Sequence, residues 1–94
     1  MPVAIQIPTA LRPYTSGLAS VQVEGATAGE ALDALTVAYP ALARHLRTED
    51  GKLRSFVNVY LNDEDIRFLD KEATPLKPGD SLIIVPSIAG GSRP

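Results

Sequence analysis

The sequence predicts an α+β domain in which a mixed β-sheet is crossed by one main helix. Three observations carry the prediction. Apolar residues alternate with other residues near the start, in the middle and near the end of the chain, the period of two that marks strands with one buried face. A capping-box pattern followed by apolar residues three and four apart marks a helix between them. At 94 residues the chain has room for one core and no second.

The elements follow in order. Val3, Ile5 and Ile7 alternate with Ala4, Gln6 and Pro8, a first strand that Pro8 closes because proline has no amide to donate. The segment 11–19 holds Pro13, Ser16 and Gly17 and reads as a turn. Alternation resumes at Val21, Gln22, Val23 and Glu24, so the first two strands form a hairpin. In Thr27-Ala28-Gly29-Glu30 the threonine hydroxyl and the glutamate can each satisfy a free amide at a helix start. Leu32, Leu35 and Tyr39 then form one apolar stripe, until Pro40 disfavours helical geometry at the residue before it. Residues 41–46 can add a short helical turn, and 48–51 is a polar connector.

A third strand spans 55–62, with Val57, Val59 and Leu61 on one face and Phe56, Asn58 and Tyr60 on the other. The polar Asn58 indicates that the second face is open. Residues 62–65 read as a turn leading to a short strand at 66–69, and Pro78-Gly79-Asp80 turns the chain into a last strand at 81–86. Strand, strand, helix, strand, short strand, strand is the element order of the ubiquitin-like β-grasp, with residues 1–86 as the domain and 87–94 as a flexible tail.

Composition excludes several functions. The chain has no cysteine, hence neither a disulfide framework nor a cysteine nucleophile. Nine basic and eleven acidic residues give a net charge of −2, which offers no general attraction to nucleic acid or anionic membrane. The longest strongly apolar run, Leu82 to Val85, is far short of the roughly 20 residues a membrane helix needs. The start has no basic region of the signal-peptide kind, so a cytoplasmic location is expected. His45, the one histidine, has no supporting motif for a metal site or a catalytic triad. Asp63, Glu64 and Asp65 lack calcium-loop spacing and read as a solvated turn. No glycine pattern forms a nucleotide fingerprint.

Three segments, IPTALRPYT near the start, FVNVYLNDEDIRFL in the centre and TPLKPGDSLIIVPSIAGG at the end, resemble the ubiquitin-like sulfur carriers, the ThiS/MoaD family, and among them most closely the branch that supplies sulfur for cysteine biosynthesis. The resemblance implies that the chain is no enzyme but a protein co-substrate. Gly91, once it is the C-terminus, would be adenylated by an enzyme resembling ubiquitin-activating enzymes, which brings the ATP, and then converted to a thiocarboxylate. A sulfur-accepting synthase would be the recipient. The small subunit of molybdopterin synthase, or an interaction module without tail chemistry, are the alternative readings. Such a carrier binds no cofactor or metal of its own.

The chemistry is coherent with these residues. A C-terminal carboxylate, with a pKa of about 3.3–3.7, is ionised and a poor electrophile at neutral pH, so it must be activated before sulfur can enter. Residues 87–91 fully extended reach roughly 16–18 Å, enough to enter a partner's buried site. Gly90 and Gly91 lack a Cβ and can pass a narrow channel. Ser92, Arg93 and Pro94 follow Gly91, however, and tie its carbonyl into an amide. The chain as written is therefore expected to be an inactive precursor whose residues 92–94 are removed, the resemblance suggesting a diglycine-specific zinc metalloprotease. The open sheet face supplies the expected partner interface: Phe56, Tyr60 and Ile88 with Ile83 and Val85 of the last strand, whose register the sequence does not fix and for which Leu82 with Ile84 is the alternative pair.

Overall fold

Thr27 sets the start of the main helix in the way its sequence context predicts. In the structure, a computed structural model describing residues 2–54 and 57–86, the Glu30 amide donates to Thr27 Oγ1 at 3.2 Å and the Ala26 amide donates to Glu30 Oε1 at 2.9 Å. The helix, α1, spans Ala28–Ala38. Tyr39 leaves helical geometry at φ −132°, as the residue before a proline should. Pro40 then opens a second helix, α2, Pro40–Leu46, where its fixed φ and missing amide suit the first position.

Five strands form one sheet: β1, Pro2–Gln6; β2, Ser20–Glu24; β3, Val57–Leu61; β4, Glu64–Asp65; and β5, Ser81–Pro86. Their spatial order is β2-β1-β5-β3-β4. β1 runs antiparallel to β2 and parallel to β5, and β5 runs antiparallel to β3, so the last strand lies in the middle of a mixed sheet. α1 and α2 cover one face. Val3, Ile5, Val57, Val59, Leu82 and Ile84 point to that side, and meet Ala31, Leu32, Leu35, Leu42 and Leu46 in one buried core. Tyr39, the third member of the predicted stripe, packs partly buried against it.

The structure departs from the sequence reading at two connections. The segment expected to be only a turn contains a 3₁₀ helix, Thr9–Thr15, which buries Leu11 and places the hydroxyl of Thr15 between the carbonyls of Arg12 and Leu18 at 3.2 and 3.1 Å. Pro13 lies inside this helix and, having no amide, leaves one of its i→i+3 hydrogen bonds unmade. The short strand expected at 66–69 lies instead at Glu64–Asp65. Asn62 and Asp63 adopt φ 48° and 85°, the left-handed pair of a two-residue hairpin, so pairing with β3 resumes at once. Asp65 then ends it: its Oδ1 accepts from the Arg67 amide at 2.9 Å and starts a 3₁₀ turn, Ile66–Phe68, that buries Ile66 under the sheet.

A polar clip closes the end of the helical layer. Arg47, just after α2, donates through Nη2 to Glu72 Oε1 at 2.8 Å and forms an ion pair with Asp33 of α1 at 3.1 Å. The hydrogen bond to Glu72 outweighs desolvation and holds the guanidinium above its ordinary pKa. Glu72 belongs to a 3₁₀ turn, Lys71–Ala73. Gly29 permits the approach, since a Cβ there would lie 3.0 Å from that of Glu72.

Candidate functional site

Alternation along β3 and β5 decides what the uncovered sheet face carries. With Val57 and Val59 turned to the helices, Asn58 and Tyr60 face outward; with Leu82 and Ile84 in the core, Ile83 and Val85 do the same. The register puts Tyr60 opposite Ile83 and Asn58 opposite Val85, while Gln6 of β1 flanks Ile83 on its other side. Tyr60 and Ile83 are half-buried and Val85 is 39% exposed. An aromatic side chain of β3 and two aliphatic side chains of β5 thus form a small apolar platform across the two strands. Phe56, Ile88, Gly90, Gly91 and residues 92–94 lie outside the described residues.

A shallow recess of ≈ 290 Å³ lies beside this platform, lined by Gln6, Pro8, Arg12, Ile83, Val85 and Pro86 among others. The 3₁₀ helix at Thr9–Thr15 positions Arg12, whose Nε donates to the Ile7 carbonyl at 3.1 Å. That bond anchors a cation next to the end of β5, where charge can meet an anionic partner group. Sequence reasoning did not single out Arg12. Its only signal was its place in the IPTALRPYT segment, since a turn assignment says nothing about where an arginine points.

The other candidates resolve as scaffold. His45 stacks on Tyr14 with ring centroids 4.2 Å apart, joining α2 to the 3₁₀ helix. Asp63 and Glu64 are exposed, but Asp65 is not the solvated turn residue expected. It is 6% exposed and paired with Arg67 at 2.9 Å, because its carboxylate must turn inward to cap the 3₁₀ turn. The Arg67 hydrogen bond holds its carboxyl below the usual carboxylate range. Among the described residues no cluster of three or more His, Asp or Glu could hold a metal ion, and no helix is long and apolar enough to cross a membrane.

Residues 5–91 match the model of the ThiS family, from the first strand to the second glycine of the terminal pair. The chain belongs to the ThiS family. Sulfur carrier protein CysO of Mycobacterium tuberculosis is 44% identical over 93 residues, covering 97% of this chain and 100% of that protein. A chain of the Amycolatopsis orientalis BexX/CysO complex superposes with a TM-score of 0.85 at 43% identity, over 95% of this ThiS-family chain and 99% of that one. Small archaeal modifier protein 1 of Haloferax volcanii gives a TM-score of 0.84 at 31% identity, over 97% and 100% of the two chains. The fold is therefore the ubiquitin-like β-grasp.

Proposed function

We propose that this ThiS-family chain carries sulfur on its C-terminal glycine and donates it in the biosynthesis of cysteine or another sulfur-containing metabolite. The observation that carries the reading is a family match that ends at Gly91, joined to full-length similarity to a protein named as a sulfur carrier. The reaction needs three partners. A diglycine-specific zinc metalloprotease hydrolyses the bond between Gly91 and Ser92, which frees the carboxylate. An E1-like enzyme then joins that carboxylate to the α-phosphorus of ATP, with pyrophosphate leaving. Sulfide, or a sulfur donor at the same oxidation level, attacks the acyl carbon and AMP departs, which leaves a thiocarboxylate. A sulfur-accepting synthase joins the sulfur to its substrate, and water then hydrolyses the acyl–sulfur bond, so the carboxylate returns and the sulfur stays with the product.

The chain's own contribution is presentation. It binds no cofactor in this scheme, and ATP belongs to the activating partner. The platform of Tyr60, Ile83 and Val85 seats that partner, with Phe56 and Ile88 as further contacts expected from the sequence, and Arg12 lies beside the end of β5. Apolar anchors near a charged contact are the usual makings of a specific interface.

Intact-mass measurement tests the scheme. Incubated with the activating enzyme, ATP and a sulfide source, the chain ending at Gly91 is expected to gain about 16 Da as sulfur replaces oxygen, because only a free carboxylate can be activated. The 94-residue chain is expected to stay unchanged. Equal conversion of the longer chain without cleavage would overturn the requirement for processing.

A further inference from the structure

On the helix-covered side of the sheet, away from the Tyr60 platform, a cleft of ≈ 380 Å³ opens between β3 and the 3₁₀ turns that follow β4. Its floor is apolar, made by Val57, Val59 and Ile66. Its walls carry four cations from three separate segments: Lys52, Arg54, Arg67 and Lys71. Glu72, the one acid among the lining residues, is already held by the fork of Arg47, and Arg67 shares its charge with Asp65. Lys52 and Lys71 are exposed and make no ion pair among the described residues. A chain of net charge −2 thus keeps a local surplus of positive charge around an apolar floor.

The sheet edge beside the cleft says what shape of partner fits. β4 pairs only with Tyr60 and Leu61, and Val57 already donates its amide to the Arg54 carbonyl at 3.0 Å, so the open stretch of this edge is at Val59, which has β5 on one side and no strand on the other among the described residues. An unpaired edge offers main-chain donors and acceptors to an extended segment. Along such a segment, alternate side chains face the same way. One aliphatic residue would enter the cleft over Val57, Val59 and Ile66, and the residues two before and two after it would lie over the cationic walls.

We infer that this cleft is a second docking site, which takes an extended segment of a partner protein with acidic residues two positions either side of one aliphatic residue. The segment pairs with the edge of β3 at Val59, its aliphatic side chain fills the cleft, and its carboxylates meet Lys52, Lys71 and Arg54. Because the cleft and the Tyr60 platform lie on opposite sides of the sheet, a partner held here leaves the platform and the tail free. A carrier with both surfaces can be handed from one protein to the next without full release.

The probe is the peptide acetyl-Asp-Thr-Leu-Thr-Asp-amide, titrated into the methyl-labelled full chain and followed by NMR. The methyls of Leu53, Val57, Val59 and Ile66 are expected to shift, and raising salt from about 20 mM to about 500 mM should weaken binding as the charges are screened. The double change Lys52→Glu with Lys71→Glu, at exposed positions that leave the core intact, should weaken it about tenfold, as should serine in place of the peptide's leucine. A peptide with lysine at both ends should not bind. Four results would overturn the inference: no shift in these methyls, shifts confined to the Tyr60 platform, equal binding by the double variant, or the same shifts with inorganic phosphate alone. The same shifts on concentrating the chain without peptide would assign the cleft to a second copy and overturn it too.

Discussion

Placing an aspartate at either of two neighbouring positions in β5 separates the face that folds the protein from the face proposed to bind its partner. Ile84 is 1% exposed, opposite Val59 in the centre of the sheet. Ile84→Asp removes an aliphatic side chain from a closed core, a loss of about 2–5 kcal/mol for truncation alone, and adds the cost of a carboxylate without a partner, several kcal/mol more. The sum reaches the whole stability of a domain this size, roughly 5–14 kcal/mol, so this variant should not fold at neutral pH. Ile83→Asp carries the same loss of strand preference, about 1 kcal/mol, but its carboxylate stays in contact with water on the uncovered face. Its melting temperature should fall by about 4–16 °C, at 4–8 °C per kcal/mol for a loss of about 1–2 kcal/mol. Circular dichroism melts measure the first effect. Calorimetric titration with the activating enzyme measures the second, where Ile83→Asp should weaken binding about tenfold or more. Unfolding of both variants would refute the face assignment, and unchanged affinity in a folded Ile83→Asp would remove the platform from the interface.

Gly91→Ala in the chain ending at residue 91 should suppress thiocarboxylate formation while leaving the melt unchanged, because a Cβ obstructs a narrow channel and the core does not depend on it; mass spectrometry and a melt on the same sample decide it. Thr27→Ala should cost about 1 kcal/mol in urea unfolding, the worth of a helix N-cap, and a change below about 0.3 kcal/mol would mean that the Thr27 hydroxyl does not hold α1. Asp65, paired with Arg67, has a folded pKa below its ordinary 3.8, so its contribution to stability is present above that value and is lost as pH falls through the folded pKa. Asp65→Asn should therefore be less stable than the parent at pH 7 and lose less stability on acidification below pH 3.8; parallel acid titrations of the two chains would contradict this.

Much of the architecture was legible because local and long-range signals agree. Val57, Val59 and Leu61 alternate and pack on the core, and Thr27 caps the Glu30 amide as its spacing predicts, while the Glu30 side chain reaches one residue further back, to the Ala26 amide. The failures have local causes. Pro13, Ser16 and Gly17 suit a loop and a 3₁₀ helix alike, so the helix at Thr9–Thr15 had no distinct mark. Ile66 and Phe68 alternate like strand residues, yet the Asp65 side chain captures the Arg67 amide and turns the backbone before a ladder can form. Phe68 is left 81% exposed. Period two groups Ile83 with Val85 and Leu82 with Ile84 but does not say which pair faces out, because all four are apolar; the packing of Leu82 and Ile84 into the core decides it. The cationic cleft could not be read at all, because its walls come from residues 52–54, 67 and 71, which only the hairpin and the following turns bring together.

The central place of β5 has a mechanical meaning. In the proposed scheme, a partner that draws in the chain beyond Pro86 pulls lengthwise on a strand bonded to β1 on one side and β3 on the other. The load is shared by both ladders in shear, so many hydrogen bonds must yield together before the strand slips, whereas a strand peeled from an edge gives up its bonds one at a time. The domain can therefore act as an anchor: tension arising at the terminus is spread over the middle of the sheet, and the globular part keeps its shape while the end is held.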